Sequence, residues 1–366
     1  MFIDEMPWMD TQKSDFLTGL DFFWNAYASA EKNIVLIVCG SASSWIVKKL
    51  LKNRGGLHNR VTQQIVLQPF TLKETEEYFM AKGIALSRYQ MAESYMIFGG
   101  VPYYLSLFQK KYGLSQNVDN LCFNQNGKLR DEFEELYASL FNNYENHIAI
   151  VKALSTKTKG LMRSEIVDLT KLPNGGNFTK TLQELELCGF IRKYNAFEKK
   201  QKEAIYQLID NFTLFYYNFM AENRSGDEHF WTNLLENPTH RAWSGYAFEQ
   251  VCLSHITQIK RKLGILGVHT KTSSWRCKTE EGGAQIDLLI ERNDNVINLC
   301  EIKYSKAEFV IDKKYNAELR GKKELFHRES KTRKALHQTL ITTFGIKHNE
   351  YWGEVQSEVI LDDLFN

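Results

Sequence analysis

The sequence predicts a multi-domain protein in which α/β segments at both ends flank a helical middle. Short apolar runs occur at residues 1–3 and 34–39, and each ends in acidic or small residues, as buried parallel strands do. Apolar residues at helical spacing fill most of the stretch from 71 to 145. Two more apolar strands, at 285–291 and 296–304, are joined by a polar turn.

Composition excludes several classes of protein. The chain has 366 residues, 43% hydrophobic and 25% charged, which is typical of soluble proteins with two or three domains. The net charge is +2, so electrostatic arguments must be local. No apolar run approaches the ~20 residues that span a bilayer, so no membrane association is expected. The six cysteines are scattered without zinc-ligand spacing, which favours reduced thiols in a cytoplasmic protein.

The N-terminal segment reads as part of a parallel sheet. Met1–Ile3 predicts a strand with Asp4 and Glu5 at its carboxyl end, and Ile34–Cys39 predicts a second strand that leads to Ser41. Residues 18–30 between them have helical spacing. Because two strands make a poor sheet alone, we expect further strands upstream of this segment.

Helical signals begin after Pro69. Thr71 with Glu74 three residues later predicts a capping box. Helices are expected at 72–82, 88–98, 102–111 and 129–143, with a break at Gly99–Pro102.

Residues 146–210 have the order of elements of a winged helix-turn-helix. Apolar residues mark a first helix, Ser164 is the expected cap of a second, and Asn177–Cys188 forms a third that stops at Gly189. Strands are expected at 190–194 and 204–208, around a basic tip with Lys199, Lys200 and Lys202. The third helix offers few cations, so contacts with the DNA backbone are favoured over base readout, and a protein-interaction role stays open. Residues 224–227 are the expected linker.

Several motifs together resemble the archaeal-type AAA (P-loop) ATPases. They are FIDEMPW, CGSASSW, GGLHNR, LQPFTLKE and FGGVPYYL. The resemblance implies that Asp4 and Glu5 form the Walker B pair, with Asp4 at Mg²⁺. It also implies Ser41 as the sensor, Arg60 as an arginine-finger candidate and Gly99–Pro102 as a lid turn. No GxxxxGK[ST] occurs in this sequence, so ATP binding is expected only if a Walker A segment is supplied.

A carboxylate–lysine pattern lies near the C-terminus. Asp287 sits inside one apolar strand, and Glu301 and Lys303 share a face of the next. A hairpin turn at 292–295 would bring both carboxylates and the ammonium together. Such carboxylates suit Mg²⁺, with Lys303 orienting or deprotonating water and Glu249 adding a third carboxylate.

This pattern resembles the PD-(D/E)xK restriction-endonuclease-like fold, with Ile286 in place of the proline. That resemblance implies a metal-dependent nuclease in which Asp287, Glu301, Lys303 and Glu249 are catalytic. An ordinary hairpin with a Glu301–Lys303 ion pair is the alternative. Residues 303–334 carry 11 basic and 5 acidic side chains, a local charge of +6 that would follow a DNA backbone or form a solvated helix face.

These predictions divide the chain into five segments. They are the back half of an AAA ATPase core (1–70), a helical lid (71–145), a winged helix (146–210), a connecting helix and linker (211–240) and a nuclease-like α/β domain (241–366). The predicted function is that of an AAA-family ATPase fragment with a Mg²⁺-dependent nuclease-like domain acting on DNA. The alternative is a non-catalytic nucleotide switch or DNA-binding regulator with a degenerate nuclease scaffold. AAA relatives commonly assemble, so a homo-oligomer is also an open expectation.

Overall fold

The N-terminal strands pair in parallel, as predicted. Strand β1 (Phe2–Ile3) lies beside strand β2 (Ile37–Val38). The structure is a computed structural model, and it describes residues 1–11, 13–40, 60–141, 143–194, 204–223, 226–279 and 282–366. Helix α1 (Phe16–Ala26) connects them and buries Leu20. Both strands are shorter than expected because only two residues of each are paired.

The helical middle begins at the predicted capping box. The side chains of Thr71 and Glu74 each accept a hydrogen bond from the other's backbone amide. The helices are α2 (Leu72–Ala81), α3 (Arg88–Phe98), α4 (Pro102–Ser106), α5 (Leu114–Val118) and α6 (Glu132–Leu140), with a wider turn at Asp119–Phe123. The predicted helix 102–111 is therefore too long. It ends early because the Asn117 side chain bonds to both backbone groups of Gln109 and closes the following turn.

A three-helix and three-strand unit follows. Its elements are α7 (Tyr144–Ser155), β3 (Leu161–Met162), α8 (Arg163–Thr170), α9 (Gly176–Leu187), β4 (Ile191–Tyr194) and β5 (Ile205–Leu208). The strands are antiparallel in the order β3-β5-β4. The predicted cap at Ser164 is wrong, since α8 begins at Arg163 and the Glu165 side chain bonds to the Met162 amide at 2.7 Å. Lys199, Lys200 and Lys202 lie outside the described residues.

Helices connect this unit to the last one. They are α10 (Asn211–Phe215) with a wider turn at Tyr216–Met220, α11 (Phe230–Leu234), α12 (Pro238–Ser254) and α13 (Ile256–Lys262). Helices α12 and α13 are separated at His255, whose Nε2 accepts a hydrogen bond from the Leu72 amide at 3.0 Å. This contact ties the break to the start of α2. Arg224 and Ser225 of the predicted linker lie outside the described residues.

A five-stranded mixed sheet closes the chain. Its elements are β6 (Thr270–Thr279), β7 (Gly282–Arg292), β8 (Val296–Lys303), α14 (Lys313–Ser330), β9 (Ala335–Thr342) and β10 (Ser357–Ile360). The strand order is β10-β9-β8-β7-β6. The predicted hairpin is confirmed, because β7 and β8 are antiparallel neighbours. Strands β8, β9 and β10 are parallel.

One apolar core runs through the chain from Leu72 to Phe365, whereas the N-terminal strands have a small cluster of their own around Met6 and Leu20. Arg88 adds a polar link by pairing with Glu76 and Asp362. In the described part of the chain, none of the helices has the length and apolar character that a bilayer crossing requires.

Candidate functional site

The two strand carboxylates meet where β7 and β8 separate. Their ladder stops at the pair Leu288–Cys300, so Asp287 is free to turn its side chain across the gap. There the Ile302 amide donates to Asp287 Oδ2 at 3.2 Å. The Gln285 side chain donates to Oδ1 of the same carboxylate at 3.4 Å. The predicted juxtaposition of Asp287 with the β8 motif is therefore present.

Burial and mutual repulsion perturb the neighbouring acids. Glu301 is only 2% exposed, and this burial, with the charge of Asp287, raises its pKa to about 7. Glu249 projects from α12 toward the same place. Burial, followed by the charge of Asp287, raises the pKa of Glu249 to about 8. The raised pKa values indicate that neighbouring cations do not fully balance the negative charge of the carboxylates at this site.

Two lysines partly offset that charge. Lys322 of α14 bonds to Glu301 Oε2 at 2.8 Å and lies 3.3 Å from Glu318. The Lys303 ammonium stands 5.2 Å from the centre of the Tyr315 ring and also acts on Glu301. Sequence reasoning placed Lys322 only in the basic stretch. Glu318 and Lys322 are four residues apart, a spacing that places oppositely charged side chains next to each other on a helix and could have indicated that Lys322 is held in an ion pair.

The donor set suits an ion that is held through few protein ligands. Within the ranges that the structure describes, no group of three or more His, Cys, Asp or Glu side chains is placed to hold a metal ion. Mg²⁺, however, commonly binds through one or two carboxylates and keeps several waters. Asp287 and Glu301 provide such a pair. Burial, followed by the charges of nearby carboxylates that include Glu301 and Asp287, raises the pKa of the Tyr315 hydroxyl. This hydroxyl oxygen is buried and has no hydrogen-bond partner among the residues that the structure describes, so it could bond to a ligand at the site.

A cavity of about 210 Å³ opens beside the acids. It lies between the three-stranded sheet and strands β6 and β7. Glu249 and Asp287 line one side, and Arg192 of β4 lines the other. Sequence reasoning missed Arg192, because nothing local indicates that β4 faces a strand almost a hundred residues later.

The predicted basic stretch is partly neutralised in the fold. In addition to Lys322, two more lysines of this stretch form ion pairs: Lys306 pairs with Glu236 at 2.7 Å, and Lys334 pairs with Glu291 at 2.9 Å. Arg320 pairs with Glu354. The charge available to a nucleic acid is therefore smaller than the +6 of the sequence.

The predicted nucleotide residues are only partly brought together. Asp4 and Glu5 follow β1, and the Cys39 thiol at the end of β2 lies 2.6 Å from Asp4 Oδ1. Glu5 has a left-handed backbone with φ 44°. Arg60 is exposed, and Ser41 lies outside the described residues. Their assignment to an ATP site stays a prediction.

Comparison with known proteins gives distant similarity. No family model matches the chain. An uncharacterized protein of Methanocaldococcus jannaschii is 24% identical over 335 residues, which cover 89% of this chain and 72% of that protein. Among solved structures, the Walker-type ATPase of Pyrococcus abyssi is similar with a TM-score of 0.40 and 16% identity. That match covers 58% of this chain and 61% of the ATPase, so the chain spans about three fifths of that protein's length.

Proposed function

We propose that the C-terminal site hydrolyses phosphodiester bonds in nucleic acid with Mg²⁺ as its cofactor. The observation that carries the proposal is the pair Asp287 and Glu301, held where two strands part, with Lys303 two residues further along the second strand. Burying several carboxylates close together costs free energy unless a cation or a substrate binds to them. The raised pKa values of Glu249 and Glu301 support a site built around a cation that binds there.

Each residue has a role in this proposal. Asp287 and Glu301 would hold Mg²⁺, which when bound would stabilise negative charge on the phosphate and lower the pKa of water. The Ile302 amide orients Asp287 through the 3.2 Å hydrogen bond. Lys303 positions the attacking water and offsets charge in the transition state. Glu249 supplies a further carboxyl group, which would accept a proton from that water once a bound cation has favoured its ionisation.

The remaining units supply nucleic-acid contacts and regulation in the same proposal. The helix and strand order of residues 144–208, with the sheet order β3-β5-β4, supports a winged helix that binds a DNA backbone. Exposed cations on and after α14, such as Lys313, Lys314 and Arg333, support a second contact with phosphates. Residues 1–40 would contribute to an ATP site in an AAA-type assembly if a Walker A segment is supplied.

A non-catalytic regulator is the second candidate. The 2.8 Å ion pair between Lys322 and Glu301 favours it, because the lysine already occupies an oxygen that Mg²⁺ would use. In that case the fold keeps the shape of a nuclease and binds DNA without cutting it.

Nicking of supercoiled plasmid distinguishes the two candidates. We expect the purified chain to nick the plasmid in Mg²⁺ or Mn²⁺ and the Asp287→Ala variant to lose this activity. Asp294→Ala is the matched control, since Asp294 lies in the exposed turn after β7 and pairs with Arg292. Equal nicking by the wild type and Asp287→Ala would refute the proposal. A wild type that binds the plasmid but cleaves neither the plasmid nor a labelled single-stranded oligonucleotide in Mg²⁺ or Mn²⁺ would favour the regulator.

A further inference from the structure

The cavity beside the acids is built by two separate parts of the chain. From the three-stranded unit it takes Lys159, Arg192 and Tyr194, and from the sheet it takes Arg276 and Asp287. Cations and carboxylates therefore face one space of about 210 Å³.

Arg192 is the innermost cation of this cavity. Its guanidinium donates through Nε at 2.8 Å, and also through Nη2, to the neutral side-chain oxygen of Gln207. Across the described ranges, no carboxylate lies within ion-pair distance of Arg192, although Glu249 acts on it from further away. Burial lowers the pKa of Arg192, the direction expected for a cation that is short of water and of compensating charge. An anion in the cavity would supply that charge.

The other cations lie nearer to solvent. Lys159 and Arg276 are exposed at the cavity mouth. The Lys159 ammonium donates to Gln285, whose amide in turn donates to Asp287 at 3.4 Å. This chain of polar contacts connects the cavity mouth to the proposed reaction site.

We propose that this cavity holds one phosphate-bearing nucleotide of an unpaired strand, with Arg192 on the phosphate next to the one that Asp287 and Glu301 act on. The inference rests on the proposed function and deepens it by naming single-stranded nucleic acid as the substrate class. The guanidinium N–H groups of Arg192 that do not bond to Gln207 can donate to phosphate oxygens. The Arg192 guanidinium lies over the Tyr194 ring, 5.3 Å from its centre, so a base would stack on the opposite face of that ring. A cavity of about 210 Å³ accommodates part of one nucleotide at most, and a base must be unpaired before it can lie against the Tyr194 ring.

Fluorescence anisotropy in EDTA tests this inference without turnover. The probes are a labelled thymidine dodecamer, its duplex with the complementary strand, and a uridine dodecamer. We expect the single strands to bind more tightly than the duplex. Arg192→Gln should weaken single-strand binding by about tenfold, as loss of one charge-assisted contact does, and Arg192→Lys by less. Tighter binding of the thymidine dodecamer would identify DNA as the ligand, and tighter binding of the uridine dodecamer would identify RNA. Either result agrees with the proposal.

Lys193→Gln is the matched control. Lys193 is on the same strand but exposed on the opposite face, over the Tyr206 ring, so its loss should change affinity by less than about twofold. If Arg192→Gln does not fold by thermal melting, the exposed Arg276→Gln replaces it, with an expected loss of about threefold.

The outcomes separate the inference from the proposed function. Duplex binding as tight as single-strand binding, or equal affinities for the wild type, Arg192→Gln and Arg276→Gln, would overturn the inference even if Mg²⁺-dependent cleavage is observed. Binding that depends on Arg192 in a protein that never cleaves would support the inference and overturn only the proposed function.

Discussion

Binding of Mg²⁺ at the Asp287–Glu301 pair is expected to release protons from the site. At pH 7 a carboxyl group with a pKa of about 8, such as Glu249, carries about 0.9 of a proton, and one with a pKa of about 7, such as Glu301, carries about half. A divalent cation requires the ionised form of its ligands and favours ionisation of their neighbours. The release should therefore lie between about one and one and a half protons per ion.

Calorimetric titration in two buffers with different ionisation enthalpies measures this number. Affinity for Mg²⁺ should also rise from pH 6 to pH 8, by roughly tenfold for each pH unit over which one proton is released. Glu249→Gln should reduce the release to about half a proton, because only Glu301 then remains partly protonated. Asp287→Asn should abolish binding. Equal heats in the two buffers, or an affinity that does not change with pH, would show that Mg²⁺ binding releases no protons from Glu249 and Glu301.

Three stability measurements test other parts of the structure, each by urea denaturation. Glu249→Gln in EDTA should raise the free energy of unfolding by up to about 5 kcal/mol at pH 8.5 and by little at pH 4.5. The reason is that a pKa raised from 4.5 to about 8 makes wild-type stability fall as pH rises between these values, by about 1.4 kcal/mol per pH unit. Equal gains at both pH values would contradict this. Gly100→Ala should cost about 3 kcal/mol or more, since φ is +71° and the new Cβ would lie 2.2 Å from the Phe70 carbonyl oxygen. Its control, Gly321→Ala, has open space on a helix and should gain up to about 1 kcal/mol, so equal effects of the two would be contrary evidence. Thr71→Ala should cost about 1 kcal/mol by removing the cap of α2, and no loss would show that the cap is dispensable.

Local features of the fold could be predicted from the sequence. The capping box at Thr71 and Glu74 follows from two side chains three residues apart. The β7–β8 hairpin follows from two apolar runs around a polar turn, and it places Asp287 near Glu301 through strand geometry alone. Helix ends were less predictable, because hydrogen bonds from side chains further along the chain determine where the helices stop. Asn117 ends the turn after α4, and His255 interrupts a helical pattern to bond to Leu72.

The rest of the candidate site depends on long-range contacts. Arg192 reaches the acids from a different sheet, and Lys322 reaches Glu301 from a helix 21 residues further along the chain. Strand β6 escaped prediction because polar residues such as Thr270, Lys271 and Arg276 dominate an edge strand that pairs on one side only. Such features arise from packing between units and have no local periodicity.

Cleavage of a labelled single-stranded oligonucleotide, followed as an initial rate against Mg²⁺ concentration, tests whether the Asp287–Glu301 site is a Mg²⁺-dependent nuclease. The variants to compare are Lys303→Met and, as control, Lys306→Met, whose lysine pairs with Glu236 away from the acids. We expect a wild-type rate that saturates with Mg²⁺, a loss of about a hundredfold or more for Lys303→Met, and little change for Lys306→Met. A rate that is independent of Mg²⁺, or that is the same for wild type and Lys303→Met, would contradict it.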